Sequence, residues 1–455
     1  MMDVLQSALA FIVILGILIT FHEFGHYWVA RKCDVKILRF SVGFGRPIWQ
    51  RKIGIDQTEF VVAALPLGGY VKMLDEREGS VDVEDKHRAF NNKSLLQRIM
   101  IVVAGPLFNF IFAVLAYWAM YMVGISDFKP LVGDIDANTI AAESGFKTGD
   151  RIIKVDGKKT PTWSSVIDTT VANVVNAREV VFTVRAGEYS ERDIPVDLSQ
   201  ISIDEMASGR LFNAIGLHPL RPVIPAIIGE IIAGGAAEKF GLEVGDKVIQ
   251  VDSEPVKDWM DWVQLIRSNP NQTLEIDIIR AGDAVTVTVI PSLVLEAEQE
   301  VGKIGAGLDR SYLDDTSFQA TESYALIPAF FKAVQKTGDM SIMTLRILGK
   351  MIVGEASVKN LSGPISIAQY AGKTVNLGFA VFLGFMAVIS VSLGVLNLLP
   401  IPLLDGGHLF YYMIEMLKGS PPSESFQMAG QQVGLIVLLG LMSIALYNDV
   451  LRVVG

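Results

Sequence analysis

The sequence predicts a polytopic α-helical membrane protein with four transmembrane helices and a large polar region between the second and the third. Two observations predict this class. Four largely uncharged stretches are each long enough to cross a bilayer, which takes about 20 helical residues, and the polar region contains an internal repeat. The hydrophobic fraction of 51% and the mean hydropathy of +0.40 agree with partial burial in lipid.

The order of these stretches divides the chain into ten segments. They are 1–30, the first transmembrane helix; 31–98, a loop that carries a membrane-associated β-sheet; 99–126, the second transmembrane helix; 127–221 and 222–310, two small α+β domains; 311–373, an amphipathic or interfacial helical region; 374–404, the third transmembrane helix; 405–424, a loop; 425–448, the fourth transmembrane helix; and 449–455, a tail.

Composition excludes several classes of protein. The net charge of −10 gives no general attraction to nucleic acid. Cys33 is the only cysteine, so intramolecular disulfides and a cysteine-rich metal cluster are excluded. The N-terminal residues Met1, Met2 and Asp3 lack the basic region of a signal peptide. The first hydrophobic stretch is therefore predicted to be a retained span.

The distribution of basic residues predicts the orientation in the membrane. The segment 31–98 contains thirteen Lys and Arg residues and is expected in the cytoplasm. The N-terminus, the region 127–373 and the C-terminus then lie outside the cytoplasm, and the loop 405–424 lies inside. The end of the first span, and any site it carries, is expected near the cytoplasmic face.

The first span ends in the motif His22-Glu23-Phe24-Gly25-His26. On a helix the two histidines are four residues apart, so both imidazoles leave one face and can share a metal ion. Glu23 is close enough to act on a metal-bound water without being a ligand. The alternative is a chance match around one buried histidine, but ionisable groups within a hydrophobic span are costly and usually functional. The motif predicts a hydrolytic zinc site inside a membrane helix.

The loop 31–98 has four strand-like pieces separated by glycine and proline. The pieces are Val35–Val42, Ile48–Ile53, Glu59–Leu65 and Tyr70–Met73. The segments 43–47 and 66–69 between them are typical of turns. We expect a small antiparallel sheet that returns to the membrane near the histidines. Its edge would either receive an extended peptide by strand addition or only stabilise the loop.

The outer region contains two related copies of about 95 residues. Gly145–Asp156 matches Gly241–Asp252 at an offset of 96 residues, and Trp163 matches Trp259. The repeated pattern, with Gly-Asp before an apolar run, resembles PDZ domains, which bind extended peptides along a strand edge. The pair is expected either to bind a peptide or protein ligand or to act as a spacer that excludes large proteins.

Residues 324–354 have the apolar spacing of a helix, with Asp339 as a candidate N-cap. Lysines and arginines give this helix a basic side. Two placements are open, an interfacial helix on the outer leaflet and a helix packed on the repeated domains.

A catalytic zinc ion usually has three protein ligands and an open position for water, so a third ligand must come from elsewhere. The best candidate lies in 397–408, with the sequence NLLPIPLLDGGH. Pro400 and Pro402 forbid a regular helix there, and such backbone at membrane depth is tolerated only inside protein or beside a wet cavity. Asp405 is expected at the depth of His26. It could instead be a boundary carboxylate or a helix N-cap, and His408 could be the ligand.

These motifs together resemble the site-2 protease family of intramembrane metalloproteases. The resemblance rests on His-Glu-x-x-His in a first membrane helix and Asn-x-x-Pro-x-Pro-x-x-Asp-Gly-Gly near the end of a late one. Two PDZ-like domains between the second and third of four spans are similar to bacterial members. The resemblance implies that His22, His26 and Asp405 bind zinc (Zn2+) and that Glu23 is the general base.

The resemblance also implies how substrate is bound. Asn397, Pro400 and Pro402 would contact the substrate, and the sheet at Gly43-Phe44-Gly45 would clamp it as a strand. The substrates would be single-span membrane proteins, such as anti-sigma factors, or remnant signal peptides. The protein would lie in the bacterial inner membrane with the PDZ-like pair in the periplasm.

Two other classes stay open from the residues alone. A metal transporter or sensor could use the same ligands, but transporters usually repeat their spans in related halves. A membrane-anchored PDZ scaffold without peptidase activity would leave the ionisable residues at matched membrane depth unexplained.

Overall fold

The computed structural model describes residues 2–454 except for 175–178, 188–189, 200, 202–204, 206–209, 221–222, 297–298, 310 and 313–315. The domain boundaries predicted at 221, 222 and 310 lie outside the described residues. The chain forms two compact units. The membrane unit contains Met1–Ile125, Ile201–Arg210 and Thr321–Asp449, and the repeat unit contains Ser126–Gln200, Leu211–Ala320 and Val450–Gly455.

Four helices are long and apolar enough to cross a membrane, as the sequence predicts. They are Met2–Lys32, Leu95–Val123, Phe379–Leu398 and Glu424–Val454, named here the first to fourth spans. Their most apolar windows have mean hydropathies of 2.5, 2.4, 2.5 and 1.9. Since a helix rises 1.5 Å per residue, even the third span, with 20 residues, is as long as the hydrocarbon core of a bilayer is thick.

The second span, Leu95–Val123, begins earlier than the predicted 99 and ends before the predicted 126, and the fourth, Glu424–Val454, extends beyond both of its predicted ends. Charged residues taken as boundaries lie inside these helices. Ser94 caps the second span: its side chain accepts a hydrogen bond from the Gln97 amide, and the Gln97 side chain accepts one from the Ser94 amide. Arg98 therefore lies in the first turn. In the fourth span Asp449 is fully buried, and its carboxylate accepts hydrogen bonds from backbone amides at 363–366.

The third span is shorter than the predicted 374–404. Its first predicted residues belong to a separate helix, Pro364–Leu377, which ends where Gly378 adopts a φ of 111°. A side chain rarely adopts that conformation, so glycine sets the break. The span also ends at Leu398, and the residues up to Leu404 form an irregular turn, as the two prolines predict. The predicted loop 405–424 is mostly a helix, Asp405–Lys418.

Small side chains allow the first three spans to pack closely. The buried cluster between them includes Ala10 of the first span, Ala113 and Ala116 of the second and Ala387 of the third. Small residues at such contacts let helix backbones approach where lipid offers no hydrophobic driving force. The second span is central, because it packs against both the first and the third.

One amphipathic helix, Leu326–Ile352, packs against the second and third spans. Its buried positions Ala329, Ala333 and Thr337 follow one helical stripe. The expectation that Asp339 caps this helix is wrong, because the helix begins thirteen residues earlier and Asp339 lies in its interior. The described contacts place the helix on the spans.

Two long strands, β1 (Ile37–Ile53) and β2 (Thr58–Met73), contain the four predicted short ones. Residues 39–42 of β1 pair with 69–72 on one side and with 59–62 on the other, so the strands fold into four segments. The predicted turn at 43–47 is confirmed: residues 39–42 and 49–53 pair with the same segment of β2 from opposite sides and in opposite directions, so the chain reverses between them although the strand assignment is continuous. Gly43 and Gly45, with φ of 94° and 88°, adopt the conformations that this reversal needs.

The repeat unit contains two sheets with the same order of strands. The first sheet has the chain order 158–159, 151–155, 179–186, 190–197, and the second has 254–255, 247–251, 274–280, 283–289. Each Gly-Asp motif places a buried aspartate under an arginine: Asp150 binds Arg192, and Asp246 binds Arg280. Short helices accompany each sheet: Ile140–Ser144, Trp163–Val174, Leu211–Ile215, Ala236–Lys239 and Trp259–Ser268.

Eight further short strands are described, at Ile125–Phe128, Val132–Ile135, Leu217–Pro219, Ile228–Ile231, Ser292–Glu296, Gln299–Lys303, Ala306–Leu308 and Gln319–Glu322. Four 3-10 turns are described, at Val83–Arg88, Phe90–Asn92, Thr316–Phe318 and Val358–Asn360.

Candidate active site

His22 and His26 lie one turn apart on the first span, and their imidazoles converge. The two Nε2 atoms are 3.2 Å apart and the ring centroids 4.9 Å apart. Both residues are largely shielded from solvent, with 15% and 12% of their side chains exposed. The helical spacing therefore produces the juxtaposition that the motif predicts.

Asp405 completes a cluster of three. Its Oδ2 lies 3.3 Å from His22 Nε2 and its Oδ1 lies 3.5 Å from His26 Nε2. One atom from each of these three residues lies within 4.8 Å of the others, a group that could hold a metal ion. The cluster includes Asp405 and excludes His408, although His408 lines the same cavity.

The turn after the third span delivers Asp405 to the histidines. Leu404 N–H donates to the Ile401 carbonyl at 3.0 Å, and Leu403 adopts a φ of 90°, a strained value for a side chain of this size. A Cβ on Gly406 or Gly407 would overlap the backbone carbonyls of this turn. Close packing of the turn on the following helix thus fixes where the carboxylate lies.

The second span supports the imidazoles from behind. His26 Nδ1 lies 2.8 Å from the Ile101 carbonyl oxygen and His22 Nδ1 lies 3.1 Å from Asn109 Nδ2. A Cβ on Gly105 would overlap both imidazole rings. Glycine at this position therefore allows the second span to approach the two histidines.

The cluster fits a zinc ion. A tetrahedral zinc with bonds of about 2.0–2.1 Å separates its ligand atoms by roughly 3.3–3.4 Å. The two Nε2 atoms are 3.2 Å apart, and each lies 3.3 or 3.5 Å from one of the two carboxylate oxygens of Asp405. Asp405 Oδ2 is buried and finds no hydrogen-bond partner among the described residues. Such an atom is costly unless something binds it. Two histidines and a carboxylate also form a common donor set of catalytic zinc.

A cavity of about 440 Å³ opens over the cluster. Glu23 and both histidines line it, and so does the segment of β2 from Gly69 to Met73. A Cβ on Gly69 would come within 2.9 Å of the Glu23 Cγ atom, so the edge of the sheet lies directly against this glutamate. The remaining charged residues that line the cavity are Lys72, Asp75, Arg77 and Glu78. This polar lining is suited to water.

Charged and aromatic groups contact one another around Tyr412, which lines the cavity. Arg98 on the second span binds Glu415 through two hydrogen bonds of 2.6 and 3.1 Å and lies 5.1 Å from the Tyr412 ring centroid. Burial raises the pKa of Tyr412 to about 12. Burial also lowers the pKa of His408, which favours its neutral form at pH 7.

The structure brings some of the other predicted site residues to the cavity but not all. Asn397 lines it. Pro400 and Pro402 are absent from its described lining, and Pro402 instead packs against Gly434 of the fourth span. Gly43-Phe44-Gly45 is also absent from the described lining, but the Phe44 ring stacks on Tyr70, which lines the cavity, at 6.1 Å between centroids.

Three features of the site were missed by sequence reasoning. Tyr70–Met73 was predicted as a strand, but its position in the cavity wall, together with Gly69, was not. Gly105 and Asn109, four residues apart in the second span, contact the histidine face. A Gly and an Asn within an uncharged span are the only sequence signals that would have pointed to this face.

The chain is similar to known proteases along nearly its whole length. A model of peptidase family M50 matches residues 10–441. The regulator of sigma-E protease RseP of Escherichia coli strain K12 is 41% identical over 454 residues, 99% of this chain and 100% of that protein. Protease RseP of Yersinia pestis is 40% identical over 452 residues, with the same coverage. A Vibrio cholerae protein named as a candidate zinc metalloprotease is 40% identical over 459 residues, again with 99% and 100% covered.

These matches define the class: the protein is a metalloprotease that works within a membrane. The chain belongs to peptidase family M50, the site-2 proteases. Both the predicted family and the predicted enzymatic class are confirmed.

Proposed function

We propose that His22, His26 and Asp405 bind a catalytic zinc ion and that Glu23 is the general base in hydrolysis of a peptide bond within a substrate's membrane segment. The observation that carries this proposal is the convergence of two imidazoles and a carboxylate at zinc-like separations beside the half-buried Glu23. A bound zinc would supply Lewis acidity toward water and the scissile carbonyl.

Glu23 performs the proton transfers. As a carboxylate at the base of the cavity it accepts a proton from the attacking water and later delivers it to the leaving amine. The polar residues around the cavity, including Lys72 and Arg77, provide a route for water to a site placed within a membrane helix. The turn that carries Asp405 holds the third ligand in place.

The substrate segment binds along β2. A membrane helix resists hydrolysis because its carbonyls are hydrogen-bonded within the helix. Residues 69–73 form an outer segment of the sheet, line the cavity and lie against Glu23. A substrate unwound into a strand and added to this edge keeps its backbone groups paired while one bond faces the site. Asn397 on the opposite wall contacts the same strand.

The other predicted substrate residues act indirectly. Pro400 and Pro402 shape the turn that ends in Asp405, and Phe44 supports the cavity wall by stacking on Tyr70. Gly43 and Gly45 supply the bends in β1 that place Phe44 there.

The repeat unit is proposed to be a pair of PDZ-like domains on the periplasmic side of the inner membrane. The shared strand order of the two sheets supports a duplicated domain. The basic loop 31–98 supports the placement of the site near the cytoplasmic side. Relatives named as regulators of sigma-E protease support single-span substrates such as an anti-sigma factor, with remnant signal peptides as the second substrate class.

Substitution Glu23→Gln tests the role of the base. Glutamine preserves the shape and leaves the three ligands in place but accepts no proton, so we expect wild-type zinc content with cleavage of a single-span substrate reduced by at least about 10³-fold. Zinc is measured by elemental analysis and cleavage by gel mobility. Glu355→Gln, at a surface carboxylate paired with Lys350, is the control and should cleave normally.

Two results would contradict the proposal. Cleavage retained by the Glu23→Gln protein would remove the general-base role. Purified wild-type protein that binds no zinc, even when zinc is added, would remove the metal centre.

A further inference from the structure

Asn109 is a fully buried amide in the second span, directly behind His22. None of its surface is exposed. Its Nδ2 lies 3.1 Å from His22 Nδ1, and its backbone carbonyl accepts a hydrogen bond of 2.8 Å from the Ser390 hydroxyl of the third span. The residue is thus held between two spans with its side chain against a candidate zinc ligand.

The neighbouring histidine shows what such a contact does. His26 Nδ1 lies 2.8 Å from the Ile101 carbonyl oxygen. A carbonyl only accepts hydrogen bonds, so Nδ1 of His26 carries the proton and its Nε2 lone pair is free for a metal. The second span therefore sets the tautomer of one ligand through its backbone.

The amide oxygen of Asn109 lacks a corresponding partner. Oδ1 is buried and makes no hydrogen bond with the described part of the chain. With Nδ2 toward His22, the imidazole must accept at Nδ1 and carry its proton on Nε2, which blocks that nitrogen as a ligand. Rotating the planar amide by half a turn brings Oδ1 to the same place, pairs the orphaned oxygen and moves the His22 proton to Nδ1.

We infer that Asn109 is a positioning residue for the metal site: its amide oxygen accepts the Nδ1 proton of His22 and so makes Nε2 the ligand. The inference rests on the proposed zinc site. Groups that accept from the second nitrogen of a ligating histidine fix its tautomer and ring orientation, and their loss typically weakens metal binding 10- to 100-fold. The second span then supplies one such acceptor to each histidine, a backbone carbonyl at Ile101 and a side-chain amide at Asn109.

Zinc affinity of the full-length protein in detergent tests this assignment. Asn109→Leu removes the acceptor at similar volume, and we expect its zinc dissociation constant, measured by competition with a chromophoric chelator, to rise about 10- to 100-fold. Asn109→Asp keeps an oxygen at the position and should restore affinity to within about threefold of wild type. Asn448→Leu is the matched control, since Asn448 is a buried amide of the fourth span bonded to the Val358 carbonyl.

The visible absorption spectrum of the cobalt-substituted proteins distinguishes a change at the metal ligands from a simple loss of packing. Wild type and Asn109→Asp should share one spectrum, and Asn109→Leu should differ. Wild-type affinity in Asn109→Leu, or equally weak binding in Asn109→Leu and Asn109→Asp, would overturn the assignment while leaving the zinc proposal intact. A wild-type protein that binds no zinc would overturn both.

Discussion

Gly25, inside the His-Glu-x-x-His motif, sets the distance between the first and second spans. A Cβ at this position would overlap the Ala104 carbonyl oxygen and would lie 2.8 Å from the Ala104 carbonyl carbon. Cβ atoms essentially never lie closer than 3.0 Å to another heavy atom, and the carbonyl oxygen is the nearest atom here, so the change Gly25→Ala must separate the two backbones by about 0.6 Å or more. Backbone atoms cannot rotate out of the way as a flexible side chain can.

A larger distance between the two spans would lengthen the hydrogen bond that His26 makes to the second span. Its Nδ1 lies 2.8 Å from the Ile101 carbonyl oxygen of the second span, and an added 0.6 Å takes that pair to about the limit of a hydrogen bond. Catalytic groups displaced by about 1 Å can lose a factor of 10² in rate. We therefore expect Gly25→Ala to lower the rate of substrate cleavage about 100-fold.

The assay compares Gly25→Ala with Gly16→Ala in the same helix. A Cβ on Gly16 meets no atom of the described structure within 4 Å, so this control should cleave at the wild-type rate. Cleavage is followed in detergent with a single-span substrate, and thermal melting shows that each protein is folded. Wild-type cleavage by Gly25→Ala would refute the reasoning that helix separation at this glycine fixes the ligands.

Three further changes test the packing around the site. Asp449→Ala leaves the Gly363, Ile365 and Ser366 donors without their acceptor and should lower the free energy of unfolding by about 3 kcal/mol, seen as a lower melting temperature. Glu415→Gln breaks the forked pair with Arg98 and should cost about 2 kcal/mol; an unchanged melting temperature would show that the pair is solvent-screened. Burial holds the pKa of His408 below its ordinary 6.5, so the stabilising contribution of this residue is complete above that pH and decreases as the pH falls. His408→Asn should therefore reduce the loss of melting temperature between about pH 7.5 and 5.5. An equal loss in both proteins would contradict this.

The membrane spans were predictable because their signal is local. A run of apolar residues long enough to cross a bilayer is visible without knowing what it packs against. The ends were less predictable, since Arg98 and Asp449 look like boundaries in sequence but lie within helices where Glu415 and backbone amides satisfy their charges. The glycine break at Gly378 was missed for a related reason, because φ depends on the neighbouring helices as well as on the residue.

The strand pieces and the turns between them were predictable, but the order in which the pieces pair was not. Gly43 and Gly45 lie in the first turn, and the pieces before and after it pair with opposite sides of residues 58–62. Which strand faces the cavity also depends on this pairing. The sequence drew attention to Gly43-Phe44-Gly45, whereas the residues that line the cavity are Gly69–Met73.

The sequence by itself determined the chemistry of the protein. Helical periodicity places His22, Glu23 and His26 within one turn of the first span. The prolines before Asp405 predict an irregular turn, which at membrane depth is tolerated only inside protein or beside a water-filled cavity. Only the tertiary structure decided that Asp405 and not His408 joins the cluster, and that Asn109 lies behind His22. The physical reason is that ligand geometry at this site is set by contacts between helices far apart in the chain, where close approach at glycines fixes distances that no local pattern encodes.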